Sequence, residues 1–148
     1  MKQIKIDIPD GYEIDKENST FECIRFKPKP QVYWSNEHKA VVVEDGDISF
    51  MIDTAPSYAI SWSDANRFCN NFIHWRLPRF EELELIAKHL SQINYALKQN
   101  GGFEIFGRLW SSATGIDSVC ALTLNVNRNT KEARSVDTIA YARAVSDL

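Results

Sequence analysis

Few residues of this chain have types and spacing that could do chemistry. Cys23, Cys69 and Cys120 are widely separated and no C-x-x-C occurs, so neither a zinc knuckle nor a dithiol redox pair is spelled out. Each thiol reads as a small buried apolar residue of a reducing compartment, Cys120 included, on the apolar face of a strand beside Leu122. His38, His74 and His89 form neither H-x-x-x-H nor H-E-x-x-H, the spacings that aim two imidazoles from one helix face at a metal. They read as surface or helix-end histidines. Asp45 and Asp47 flank Gly46, but the other oxygen ligands of a calcium loop do not follow, so a hairpin turn is the reading. Glu81, Glu82 and Glu84 crowd one short stretch. They read as a solvated face at the positive end of a helix dipole. Asn125, Asn127 and Asn129 alternate, which asparagine rarely does inside a strand. Either this is a turn-rich strand end or it is a polar recognition edge. No catalytic residue, metal ligand or cofactor is expected, and the chain is not read as an enzyme.

The elements that would position these residues follow from periodicity. Residues 2–8 alternate apolar and charged, with Ile4, Ile6 and Ile8 on one side, and predict a strand. That alternation also differs from the continuous apolar run of a secretory signal. A second strand is predicted over residues 20–26. Lys27-Pro28-Lys29-Pro30 then reads as an extended linker, because each proline disfavours helix in the residue before it. A boundary there divides an N-terminal β segment, 1–30, from a domain over 31–148. Residues 40–44 and 48–52 predict strands joined by Asp45-Gly46-Asp47. A helix follows: Ser61 and Asp64 have capping-box spacing, and Ala65, Phe68, Cys69 and Phe72 make one apolar stripe. Trp75-Arg76-Leu77-Pro78 ends it. Pro78 suits the first turn of the next helix, whose buried stripe is Leu83, Ile86, Ala87 and Leu90. Residues 92–99 predict a further short helix closed by Gly101-Gly102. The rest is β: 109–113, 119–126 with Cys120, Leu122, Leu124 and Val126 facing one way, a turn at Asn127-Arg128-Asn129, then 133–136 and 139–145. Strands, two or three helices, then strands make an α+β pattern.

Length and composition agree. The 148 residues suit one domain with a small appendage, able to bury a sizeable core without a metal or disulfide. They are 44% hydrophobic and 25% charged, with formal charge −3. That mildly acidic balance lacks the basic footprint of a nucleic-acid binder. No apolar run approaches the roughly 20 residues a membrane helix needs. A soluble protein is expected, cytoplasmic as synthesised and without a signal peptide; assembly into a phage particle would leave no further mark.

Several of these segments also form an ordered series. Trp62, Ala65 and Cys69 lie in the first helix; Trp75-Arg76-Leu77-Pro78 comes next, with Glu81, Glu82 and Leu83; then Trp110-Ser111-Ser112; then Tyr141-Ala142-Arg143-Ala144-Val145. The series resembles a bacterial and phage domain family of unknown function with a WRLP-x-x-x-EL helix start, a YWSS strand and a closing VRxV strand. That family is similar to the C-type-lectin-like fold, near the formylglycine-generating enzyme group. The likeness covers about residues 55–148. The chain departs from it at Arg79, where Thr or Ser usually caps the helix, at Leu109 in place of an aromatic, and at Ala144, where Cys is frequent. The segment from Tyr12 to Glu22 resembles a short leader found ahead of varied domains in mobile-element and phage-type proteins.

The resemblance implies a C-type-lectin-like domain, an antiparallel sheet with two or three helices; the N-terminal strand pair is expected to pack on it. It implies that late-strand loops carry recognition, since binding residues sit on loops held by a rigid scaffold. The ligand-binding candidates are Thr114, Ile116, Asp117 and Ser118 with Gly115; Asn125, Asn127, Arg128 and Asn129; and the stretch at Asp137 and Thr138. A protein or cell-surface ligand is the expected partner, with an oligomer open, and an intracellular assembly subunit is the rival reading. Trp75-Arg76-Leu77-Pro78 reads as a structural corner, with Arg76 bonded to backbone carbonyls. Trp110-Ser111-Ser112 stands where sugar-binding lectins have calcium ligands, but serine hydroxyls serve that ion poorly. Formylglycine-type catalysis would need a reactive cysteine pair late in the chain, and only Cys120 lies there.

Overall fold

The computed structural model describes residues 6–70, 74–115 and 118–148. The first described elements are β1 (Tyr12–Ile14) and β2 (Phe26–Pro28), an antiparallel pair that forms a sheet of its own. No residue from 6 to 30 is fully buried. Residues 6–30 therefore contribute nothing to the hydrophobic core. Two expectations fail here. Residues 6–8 are not in a strand, and 2–5 lie outside the described residues; the 20–26 segment is mostly irregular, with ladder pairing only from Phe26 onward. Period-two alternation needs a neighbouring strand and a core to cover one face, and residues 6–8 have neither.

Next come β3 (Gln31–Ser35), β4 (Ala40–Asp45), β5 (Ile48–Ile52), β6 (Tyr58–Ile60) and α1 (Trp62–Asn70). Strand β3 was not foreseen. It pairs with β4 throughout, Gln31 opposite Glu44 and Ser35 opposite Ala40. The hairpin at Asp45-Gly46-Asp47 is as expected. Asp45 pairs with Ile48 across a turn in which Gly46 takes φ +62, a left-handed conformation that glycine adopts without a steric penalty. In α1 the Asp64 N–H donates to Ser61 Oγ at 3.4 Å, and Ala65 and Cys69 are buried. Phe72 of the expected stripe lies outside the described residues.

Then follow β7 (Trp75–Arg76), α2 (Phe80–Lys88) and α3 (Leu90–Gln99), with only His89 between the helices. The N-cap of α2 is Arg79, so Pro78 sits just before the cap rather than in the first turn. Leu83 and Ile86 are buried as the stripe requires, while Leu90 opens α3. Helix α3 ends as expected: Gly101 takes φ +75 and the Gly102 N–H donates to the Leu97 carbonyl at 2.8 Å. The chain closes with β8 (Arg108–Thr114), β9 (Cys120–Asn125), β10 (Thr130–Ser135), β11 (Ala140–Ala142) and β12 (Val145–Asp147).

The architecture is α+β with two five-stranded sheets, ordered β3-β4-β5-β12-β7 and β10-β9-β8-β11-β6. The second is mixed, because β11 runs parallel to β8 at Tyr141 and Leu109. The expected single last strand is divided between the sheets: β11 joins one and β12 the other. The main core lies where the sheets and two helices meet. Val41, Val43, Phe50 and Ile52 of the first sheet pack with Leu83, Ile86, Ile93 and Leu97 of α2 and α3 and with Leu109 and Leu124 of the second. A smaller cluster seats α1 on the other side: Ala65 and Cys69 meet Trp110, Ala121, Ala140 and Ala142. Alanines on the strands let the helix approach closely. Both faces of β9 are thus covered, with Ala121 and Thr123 buried as well as Leu124.

Buried polar groups stitch these layers. Arg143, between β11 and β12, is 2% exposed. Its Nε and Nη2 donate to the Asp53 carbonyl at 3.0 and 2.7 Å, and Nη2 also to the Phe103 carbonyl at 2.7 Å. Burial pushes its guanidinium down to about 10, so it stays protonated at neutral pH. Glu82 corrects the reading of a solvated acidic face. Glu81 and Glu84 are exposed, but Glu82 is 2% exposed. It takes a two-pronged ion pair from Arg76, at 2.6 and 2.8 Å, and accepts the Arg79 N–H at 2.7 Å. Arg76 also meets Asp147 at 2.6 Å. One bond to a backbone carbonyl, Leu77, is present at 3.2 Å, yet carboxylates are the main partners. A charge facing solvent and one facing an arginine look alike in a sequence.

Candidate functional site

The Trp-Ser-Ser segment is committed to structure. Trp110 Nε1 donates to the Ile60 carbonyl and Trp62 Nε1 to the Ser111 carbonyl, each at 2.9 Å. The Ser111 hydroxyl donates to the Leu122 carbonyl at 2.8 Å and accepts from the Ala113 N–H at 3.2 Å. Beyond it the register of β8 against β9 shifts between Trp110 and Thr114. Such a bulge bends a strand and turns its end outward.

That end carries the first group of candidates. Thr114 and Ser118 are exposed; Ile116 and Asp117 lie outside the described residues. The segment is tied at its base. The Gly115 N–H donates to the Cys120 carbonyl at 2.7 Å, and the Ser118 N–H to the Gly115 carbonyl at 3.0 Å. Ser118 takes φ +58, a conformation a non-glycine residue holds only when its surroundings enforce it. The connection from β10 to β11 lies alongside, because the Val136 N–H donates to the Val119 carbonyl at 2.8 Å. There the Thr138 hydroxyl and N–H both donate to the Ser135 carbonyl, at 2.7 and 3.0 Å. Asp137 and Thr138 are exposed. So are two apolar residues not singled out above, Val119 at 54% and Ile139 at 55%.

The second group sits elsewhere. Asn125, Asn127, Arg128 and Asn129 form the β9–β10 turn at the opposite end of β9. A six-residue strand places the two ends roughly 17–20 Å apart, so they cannot line one small site. Two of the amide oxygens are occupied. Asn125 Oδ1 accepts the N–H groups of Asn127 and Arg128 at 3.1 and 3.2 Å. Asn127 Oδ1 accepts the Gly107 N–H at 2.6 Å, and Asn129 takes φ +54. Arg128 is exposed.

The other candidates for chemistry are dispersed. Cys69 is buried, and burial pushes its thiol up to about 11. Cys120 is only half-buried and Cys23 is exposed, so the reading of three buried thiols holds for Cys69 alone. His89 lies at the junction of α2 and α3, with Nε2 2.8 Å from Asp45 Oδ2, which also receives Lys88 Nζ at 2.9 Å. Burial pushes the Asp45 carboxyl up, but the hydrogen bonds from His89 and Lys88 outweigh it and leave the carboxyl below its ordinary value. Among the described residues no group of three or more His, Cys, Asp or Glu side chains is placed to hold a metal ion, and no helix is long and apolar enough to cross a membrane.

One cleft escaped the sequence reading. It measures about 520 Å³ and lies between β3 and α3, lined by Val32, Tyr33 and Trp34 on the strand and by Tyr95 and Ala96 on the helix. Tyr33 is 39% and Tyr95 68% exposed. The signal available was the Val-Tyr-Trp run directly after the prolines.

No model of a known protein family matches the chain, and no curated protein matches it.

Proposed function

We propose that this chain is a non-enzymatic recognition module of the C-type-lectin-like kind, binding a protein or cell-surface ligand in a phage or mobile-element setting. Its contact surface is the end of the second sheet, where the 114–119 and 136–139 connections lie side by side. The observation that carries this reading is the hydrogen-bonded pairing of those two exposed connections. They put Val119 and Ile139 among Ser118, Asp137 and Thr138, an apolar centre with a polar rim of the kind protein interfaces use. The described ends of these connections are tied by backbone hydrogen bonds at Gly115, Ser118 and Val136, which limits the entropy those residues lose on binding. The 125–129 turn is a separate surface, more than a strand's length away.

Screening the chain against purified bacterial cell-surface proteins and glycans tests this. A ligand whose affinity falls at least tenfold with Ile139→Asp, and stays unchanged with Arg128→Ala, supports the proposed surface. A ligand that responds only to Arg128→Ala moves the site to the turn.

The rival reading, an assembly subunit of unknown partner, is favoured by one observation. The N-terminal unit exposes Phe21 at 89%, together with Ile8, Tyr12 and Phe26. Apolar groups so placed on a unit without a core suit a partner's surface.

A further inference from the structure

The two ends of the 136–139 connection are held by different means. At the inner end the Val136 N–H donates to the Val119 carbonyl at 2.8 Å, and the Val136 carbonyl accepts the Trp62 N–H at 3.1 Å. The Val136 side chain packs against the cluster that seats α1. Ile139, at the outer end, is 55% exposed, so packing does little to place it. Its carbonyl accepts Arg134 Nη1 at 3.1 Å instead. A side chain of β10 thus reaches over the turn to the residue at the apolar centre of the surface.

Arg134 is itself held. Its Nε donates to Glu132 Oε1 at 2.9 Å, and Glu132 Oε2 lies 3.6 Å from Arg108 Nη2. The hydrogen bond from Arg134 keeps the Glu132 carboxyl below its ordinary range. Arg108 is the fixed end, with a side chain only 16% exposed. Its guanidinium donates to Thr123 Oγ1 and to the Thr130 carbonyl and hydroxyl, at 3.1, 3.2 and 3.3 Å. Thr123 is fully buried, and its hydroxyl donates to the Glu132 carbonyl at 2.7 Å. A lone exposed ion pair orders little, whereas charges joined in a network order more. This network crosses β8, β9 and β10 and ends on the connection. We propose that Arg134 is a positioning residue of the recognition surface: held by Glu132, and through it by Arg108, its guanidinium fixes the outer end of the 136–139 connection and so sets where Ile139 stands. The guanidinium suits the task because one rigid plane carries both Nε and Nη1, one serving the carboxylate and the other the carbonyl; lysine supplies the charge without that fork. This role rests on reading the connection as the contact surface, but the hold itself is measured without a ligand.

Hydrogen exchange of the full chain, resolved by residue in NMR spectra, measures it. Arg134→Lys and Glu132→Ala should each speed exchange of the Thr138 amide by about fivefold or more. The two substitutions together should do no more than Arg134→Lys alone, since Glu132 acts through Arg134. The Val126 amide, bonded to the Gly107 carbonyl at the other end of β9, should keep its rate, and the melting temperature should move by less than about 2 °C. With a ligand from the screen above, Arg134→Lys should slow association about three- to tenfold, because fewer molecules hold the connection ready. Unchanged exchange at Thr138 in either single variant overturns the proposal. Faster exchange with unaltered association overturns the positioning role. Ile139→Asp then tells which reading has failed: a loss of binding leaves the contact surface standing, and no loss removes the surface as well.

Discussion

Arg143 concentrates the residue-scale argument. It sits where the chain leaves one sheet for the other, and it donates to backbone carbonyls of Asp53 and Phe103. A buried carbonyl without a donor keeps its full desolvation cost, whereas a satisfied one does not. Arg143→Leu preserves apolar bulk but strands those acceptors. It should lower unfolding free energy by about 2–4 kcal/mol, read from the urea midpoint. A loss below about 0.5 kcal/mol would mean that water replaces the guanidinium. The Val-Arg-x-Val likeness marked this position; its role as a clamp between three chain segments needs the fold, because Asp53 lies 90 residues away. Asn127 shows the reverse. As an exposed turn residue it invites the expectation that Asn127→Ala is neutral, yet it holds the Gly107 N–H.

At the scale of elements, the junction of α2 and α3 is pinned to the β4–β5 turn through Asp45. Lys88 and His89 reach it from the end of α2, and His89 is the single residue between two helices. The Asp45 carboxyl is depressed in the folded chain below its ordinary value of 3.8. A depressed carboxyl contributes stability that is fully present above the unfolded value and is lost as pH falls through the folded one. Urea midpoints should therefore drop from about pH 4.5 downward, and Asp45→Asn should make that drop shallower while lowering the neutral-pH plateau. Asp147 is held down in the same direction by its hydrogen bond from Arg76, so part of the slope should survive the substitution. An unchanged acid profile in Asp45→Asn would show that the junction is held by packing alone. The helices themselves were legible. Caps, glycines and the 3.6-residue stripe are local signals, and each placed an end within a residue or two.

For the molecule as a whole, burial is uneven along the chain. Nothing from 6 to 30 is fully buried, while β4, immediately beyond β3, buries Ala40, Val41, Val42 and Val43 completely. Limited trypsin treatment should cut first at Lys16 or Arg25. Removing residues 1–30 should change the unfolding free energy of the remainder by less than about 1 kcal/mol, measured by urea denaturation. A larger loss would mean that the N-terminal pair braces the sheet after all. Alternation reports a preference for a face, and only tertiary contact shows whether anything covers it.

By itself the sequence determined the α+β class, a central run of two or three helices, the hairpin at Gly46, the glycine stop of α3 and the mildly acidic charge. All of these rest on interactions within a few residues of one another. The tertiary structure alone decided what depended on distant partners. It assigned β11 and β12 to different sheets, turned Glu82 inward to Arg76, separated the candidate loops onto opposite ends of β9, and left β3 as an uncharged edge. A side chain's type states which contacts it can make, but which contact it makes depends on what the rest of the chain brings to it.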